Sequence, residues 1–297
     1  MEKQLPKILV VLGPTSSGKS DLAVELALKL NGEVVSADSR QVYKGLDIGT
    51  GKITPAEMKG VPHHCLDIAD PNERFTAMDW KKAAETAIAD ILSRGKLPII
   101  CGGTGFYISA LVDDLGFPEV AADTEAQKEL EQKTIEELFD ELKKLDPERA
   151  KTIDMKNKRR LSRAIVIARK LGSVPVINKP ADPKYDALMI GVSVSDQILR
   201  DRINKRLKSR LDAGMIAEVE KLHETGLSYE RMDELGLEYR YIAQHLQGQL
   251  DLTTMGNLLS TRIWQYARRQ KTWFRKDKRI HWFNQPIDTA EILKLTK

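Results

Sequence analysis

The eight residues Gly13, Pro14, Thr15, Ser16, Ser17, Gly18, Lys19 and Ser20 have the types and spacing of a phosphate-binding loop, G-x-x-x-x-G-K-[ST]. Glycines let backbone N–H groups turn inward toward an anion, and the helix start that follows adds partial positive charge. Lys19 is suited to neutralising terminal phosphate oxygens, and the Ser20 hydroxyl to holding Mg²⁺. Polyphosphate chemistry is therefore expected, but a kinase, an ATPase and any enzyme whose leaving group is pyrophosphate are all served by such a loop. Two neighbouring clusters narrow the choice. Asp38, within SADSRQVY (residues 36–43), is either a general base or a turn aspartate that bonds the following backbone. Gly102, Gly103, Thr104 and Gly105 offer close backbone approach and one hydroxyl to a ligand, and they equally suit a tight strand-to-helix turn.

The elements that must position these residues follow from periodicity. Lys7–Leu12 is an apolar, β-branched run that stops at the loop, and Leu22, Leu26 and Leu30 then recur at helical spacing. Asn31-Gly32 ends that helix, and a short strand over Glu33–Ser36 delivers Asp38 to the same carboxyl edge as the loop. A helix over Ala77–Arg94, a strand over Leu97–Cys101 and a strand over Ala187–Val192 continue the alternation. This predicts an α/β fold, a parallel sheet with helices on both faces. Residues 115–182 contain no strand candidate but carry amphipathic stretches at Ile135–Leu145 and Arg160–Leu171, so they read as a helical insertion between core segments 1–114 and 183–297. One long helix is expected over Ser195–Leu222, another over Leu258–Lys276, and a last strand over Ile280–Phe283.

Composition sets the bounds. With 41% hydrophobic and 30% charged residues the chain reads as an ordinary soluble protein, and no apolar run approaches the length of a membrane span. The apolar segment near the N-terminus runs straight into the glycine-rich loop and is read as a strand, not a signal peptide. Cys65 and Cys101 are too few for a disulfide framework, which suits a reducing cytoplasm. The net charge is only +4, but residues 262–279 hold eight Lys or Arg against one Asp, a local basic density that implies an anionic partner.

Taken in order, GPTSSGKS, SADSRQVYKGLDIGT, VPHHCLDI, GGTGFY, RRLSRA, GLEYR and RRQKTWFR resemble the tRNA dimethylallyltransferase family, with matches running from Gly13 to Arg275. The resemblance implies a P-loop NTPase-like core and Mg²⁺-dependent transfer of the dimethylallyl group of dimethylallyl diphosphate to the 6-amino group of adenosine 37, in tRNAs reading codons that begin with U. The P-loop then grips the pyrophosphate leaving group rather than ATP. It further implies that Asp38 is the base on the amine, that Thr104 lies beside the reacting adenosine, and that Arg206, with Arg202 second, clamps the diphosphate. Family tRNA contacts map onto Asp38, Ser39, Arg40 and Gln41, onto Thr104, and onto Arg159, Arg160, Leu161, Ser162 and Arg163 in the insertion. They also map onto Gly236, Leu237, Glu238, Tyr239 and Arg240, and onto Arg268, Arg269, Gln270, Lys271, Thr272, Trp273, Phe274 and Arg275. A cytoplasmic monomer is the family expectation.

The chain departs from the usual family pattern in three places. Leu237-Glu238-Tyr239-Arg240 stands where many members read I-G-Y-[KR], Gly51 replaces the Ala after D-I-G-T, and Asp196 replaces a frequent Arg. His63 and His64 match a family pair and lack the partners a metal site needs. Three other functions remain to be weighed: transfer to a free adenine nucleotide, a small-molecule or nucleoside kinase, and a non-catalytic RNA-binding module. The last would leave Asp38 and the P-loop unused.

Overall fold

The structure is a computed structural model that describes residues 5–118, 120, 123–176 and 183–296. The chain forms two compact units, Met1–Asp114 with Ala181–Lys297, and Leu115–Pro180. The expected far boundary of the insertion, at 182, lies outside the described residues.

In the larger unit, β1 (Lys7–Leu12) passes through the glycine-rich loop into α1 (Lys19–Leu30), followed by β2 (Gly32–Ser36), α2 (Pro55–Met58) and β3 (His63–His64). Then come α3 (Ala77–Ser93), β4 (Leu97–Gly102) and α4 (Gly105–Val112). The smaller unit holds α5 (Thr124–Glu131), α6 (Ile135–Leu145), α7 (Pro147–Thr152) and α8 (Lys158–Leu171). The larger unit resumes with β5 (Asp186–Ser193), α9 (Asp196–Asp212), α10 (Met215–Glu224), α11 (Tyr229–Leu235) and α12 (Leu237–Leu246). It ends with α13 (Leu252–Phe274), β6 (Ile280–Asn284) and α14 (Thr289–Leu295).

The six strands lie in the order β3-β2-β4-β1-β5-β6, and every pairing is parallel. Ile8 to Leu12 of β1 are all buried, as a strand covered on both faces requires. The connection from β1 crosses β4 to reach β2, while the return from β3 to β4 runs the other way. Right-handed crossovers therefore set α1 and α3 on opposite faces, which is the architecture the alternation of elements predicts. From β4 the chain continues to β5 beyond β1, so β1 and β4 send their connections in opposite directions. The crevice outside their carboxyl ends is the topological switch point, where α/β sheets bind ligands.

Local chemistry sets the helix limits. Asn31, in a left-handed conformation, closes α1 by donating its N–H to Ala27 O, and Thr76 with Asp79 forms a capping box on α3. Two expectations are corrected, and one strand is new. The helix anticipated over Ser195–Leu222 is two helices, because Gly214 (φ 96°) takes a left-handed turn between α9 and α10. The helix anticipated from Leu258 begins at Leu252, where Asp251 caps it by accepting the N–H of Thr254. β3 was not anticipated: two residues carry no period, and it exists through pairing of His63 and His64 with Val34 and Val35.

The smaller unit has a core of its own, including Leu130, Leu138, Leu142, Leu161 and Ile165. Arg169 of α8 pairs with both Glu129 of α5 and Glu141 of α6, tying the three helices together. Among the described residues, no helix is long and apolar enough to cross a membrane.

Candidate active site

The P-loop occupies the switch point. Gly18 (φ 89°) caps α1 in a left-handed conformation that a side chain would strain. The loop is held from outside by long-range partners: Gln285 Nε2 and Arg202 both donate to Ser17 O, at 2.8 and 3.3 Å. Lys19 Nζ folds back to Pro14 O at 3.4 Å. Burial holds its ammonium below the usual lysine range, Cys101 and Asp38 oppose this, and Arg206 and Arg210 add to it.

Arg202, Arg206 and Arg210 recur every four residues along α9 and so share one face. Arg206 donates to Gly51 O at 3.0 Å and Arg210 to Gly49 O at 3.3 Å. Burial, helped by Arg210, lowers the Arg206 pKa to about 10. Arg206 and Arg210 thus both disfavour the protonated form of Lys19, and Arg210 that of Arg206, across a shared space, the electrostatic mark of a site that an anion completes. The loop that supplies Gly49 O is itself pinned by Glu218, whose carboxylate accepts the N–H groups of Asp47, Ile48 and Gly49 at 2.6–3.1 Å. The Tyr239 hydroxyl donates to the same carboxylate at 2.9 Å.

Asp38 follows β2 and Thr104 follows β4, and the two turns are tied together. Thr104 donates its N–H to Ala37 O at 3.1 Å, and its hydroxyl oxygen accepts the N–H of Ser39 at 3.0 Å. Gly102 makes this approach possible, since a Cβ there would lie 2.1 Å from Ala37 O. Asp38 Oδ1 accepts the N–H groups of Arg40 and Gln41 at 2.9 and 3.4 Å, so the turn-aspartate bonds are made. They leave Oδ2 to face other partners, and among the described residues Asp38 forms no ion pair. Tyr266 of α13 reaches the Thr104 side chain, and its phenol is pushed well up by burial and by the charge of Asp38.

The residues mapped as tRNA contacts separate into two groups. Arg268, Arg269, Thr272 and Trp273 are exposed on α13, with Trp273 43% exposed, Arg275 is exposed just past its end, and Arg159, Arg160 and Arg163 are exposed on α8. Arg163 also donates to Val120 O at 2.7 Å. By contrast, Leu161, Ser162, Glu238, Tyr239, Gln270 and Phe274 are buried. Glu238 pairs with Arg210 at 3.3 Å, and burial pushes its carboxyl above the usual range. Lys271 is engaged by Asp196, and Arg240 by Asp233. Gln41 donates to Gly51 O, and Gly236 and Leu237 form the left-handed joint between α11 and α12. Tyr266, Arg210, Gln285 and Glu218 lie outside the quoted motifs, and Gln270, within RRQKTWFR, is expected only as a tRNA contact. The available signal is the buried stripe of α13, Met255, Leu259, Ile263, Ala267, Gln270 and Phe274, in which Gln270 is the polar member.

Mg²⁺ fits the donor set without a dedicated cage. Among the described residues no three His, Cys, Asp or Glu side chains cluster as a metal site, but Mg²⁺ is commonly held by few protein oxygens together with substrate phosphates. Ser20, exposed in the first turn of α1 with its hydroxyl beside Cys101, is such an oxygen. His63 bonds Val61 O and His64 bonds Glu33, so both serve the fold.

The family model described as IPP transferase matches residues 41–277. A tRNA dimethylallyltransferase of Geotalea uraniireducens is 42% identical over 297 residues, covering 97% of each chain. The crystal structure of a tRNA isopentenylpyrophosphate transferase from Bacillus halodurans is 36% identical, covers 98% of this chain and 94% of its own, and superposes with a TM-score of 0.72. A eukaryotic dimethylallyltransferase, solved while acting on tRNA, is 26% identical with a TM-score of 0.79, covering 94% of this chain and 74% of that one.

Proposed function

The chain belongs to the IPP transferase family, and on that premise we propose that it transfers the dimethylallyl group of dimethylallyl diphosphate to the 6-amino group of adenosine 37 in tRNAs reading codons that begin with U. The observation that carries this reading is the meeting, at one sheet edge, of an anion cradle lined by Lys19 and Arg206 with the tied turns of Asp38 and Thr104. An anion site and an acid–base site side by side suit a reaction with a diphosphate leaving group and an amine nucleophile.

The adenine amine forms its bond to the allylic carbon as the carbon–oxygen bond of the donor breaks, and the electron pair of that bond leaves on the diphosphate. Lys19, Arg206 and the amides at the start of α1 stabilise the charge that develops there. An aromatic amine is a weak nucleophile, so alignment and removal of its proton by Asp38 contribute to the rate. Thr104, held between Ser39 and Tyr266, orients the acceptor. Ser20 and the diphosphate oxygens would hold Mg²⁺, which when bound supplies further neutralisation of the leaving group. The acceptor base must leave its stack to enter such a site. The exposed arginines of α13 and α8 supply salt-sensitive contacts to tRNA phosphates, and Trp273 offers a stacking surface to the anticodon loop. We assign the enzyme to the cytoplasm as a monomer.

The test is nucleoside analysis after incubation of the protein with Mg²⁺, dimethylallyl diphosphate and unmodified tRNA. N6-dimethylallyl adenosine confined to position 37 is expected. Unmodified tRNA, with phosphate transfer from ATP to a small acceptor instead, would favour a kinase. Modification of free adenine nucleotides alone would remove tRNA from the assignment.

A further inference from the structure

The P-loop of this chain is short of available amides at its β1 end. Pro14 has no N–H. The N–H of Thr15 is donated to Gln270 Oε1 at 2.9 Å, and that of Ser17 to Pro14 O at 3.3 Å. Donors are concentrated at the other end, where the first turn of α1 leaves N–H groups without an intrahelical acceptor.

Gln270 is 6% exposed and stands in the buried stripe of α13, 255 residues away from Thr15. Its Nε2 donates to Gly103 O at 2.8 Å, and a Cβ on Gly103 would lie 2.3 Å from that nitrogen. Both ends of the amide are therefore committed. A methionine of similar length would fill the stripe without burying polar atoms, so what the glutamine adds is these two hydrogen bonds.

We propose that Gln270 cuts the phosphate cradle to the length of a diphosphate. By holding the Thr15 N–H, it withholds a donor that a third phosphoryl group would use, and it fixes the loop against the turn that carries Thr104. Gln270 is thus a positioning residue that confers selectivity for diphosphates over triphosphates. The inference rests on the diphosphate role of the P-loop proposed above.

The experiment measures inorganic pyrophosphate and inorganic triphosphate, each with Mg²⁺, as competitors of dimethylallyl diphosphate in tRNA modification. Their binding is followed in parallel by calorimetry, which does not depend on transfer. In the wild-type protein pyrophosphate is expected to bind at least about tenfold more tightly than triphosphate, the worth of one charge-assisted hydrogen bond. Gln270→Met and Gln270→Asn should each narrow that ratio by about tenfold, with melting curves checking that both fold. An unchanged ratio in folded variants overturns the proposal. So does wild-type protein that binds the two anions equally, whether or not the variants fold. Selectivity that is present and lost in the variants, without transfer to tRNA, would uphold the role of Gln270 and reject the prenyl-transfer reading instead.

Discussion

Two carboxylates five residues apart, Glu33 and Asp38, sit at opposite ends of β2 and have opposite fates. Glu33 is buried at the amino end of the strand, where Arg94, Lys96 and His64 all bond it. Arg94 above all, with Lys96 and His64, holds its carboxyl far below the usual range. Asp38, at the carboxyl end, accepts only backbone N–H groups on one oxygen and faces the field of Lys19 and Arg206. A carboxylate whose charge is fully met serves the fold, whereas one left to face a gap between cations is available for chemistry. The sheet decides which is which, because only its carboxyl edge opens onto the switch point.

The contrast breaks most clearly at Asp38. Asp38→Asn retains an oxygen for the Arg40 and Gln41 N–H groups and removes the base, so turnover should fall by about 10²–10⁴-fold. Filter binding should find tRNA affinity nearly unchanged, and undiminished turnover would leave Asp38 as a turn residue only. Arg206→Ala should lower kcat/KM by about a hundredfold, mostly through the donor, as steady-state kinetics with varied dimethylallyl diphosphate will measure.

Glu33→Gln tests the other side of the comparison. Transfer should stay within about twofold, while urea denaturation should find the protein less stable by about 1–2 kcal/mol, a modest figure because Arg94 and Lys96 are partly solvated. The sign with pH follows from the depressed pKa of Glu33. Its stabilisation is complete above the unfolded value of 4.5 and is lost as pH falls through the folded one, so the stability gap between wild type and variant should narrow below 4.5. A gap that widened in acid would contradict the assignment of Glu33 as a charge-satisfied structural residue. The smallest effect is expected at Arg269→Ala, which should reduce the slope of log Kd against log salt for tRNA by about 1.

The P-loop is legible in the sequence because its chemistry is local, with consecutive amides, a lysine and a serine between a strand and a helix. Asp38 and Thr104 are nearly as legible, since each follows a strand that must end at the same edge. The structural roles of Gln270, named only as a tRNA contact, and of Tyr266 are not, because their partners lie at Thr15, Gly103 and Thr104, on loops far away in the chain. Motif blocks also treat contiguous residues alike, whereas a helix exposes one face. Thus Arg269 and Gln270, adjacent in RRQKTWFR, divide into an exposed cation and a buried amide. The break at Gly214 escaped the periodic pattern because the residues on either side are helical in composition, and only the left-handed backbone separates them.

The central claim is that the P-loop holds a leaving group and not a phosphoryl donor. It is tested most directly with dimethylallyl diphosphate labelled in both halves, carbon-14 in the prenyl group and phosphorus-32 in the β-phosphate, incubated with Mg²⁺ and unmodified tRNA. The account predicts carbon-14 on adenosine and one equivalent of phosphorus-32 released as intact diphosphate. Phosphorus-32 on the acceptor, or released as orthophosphate in step with turnover, would contradict it.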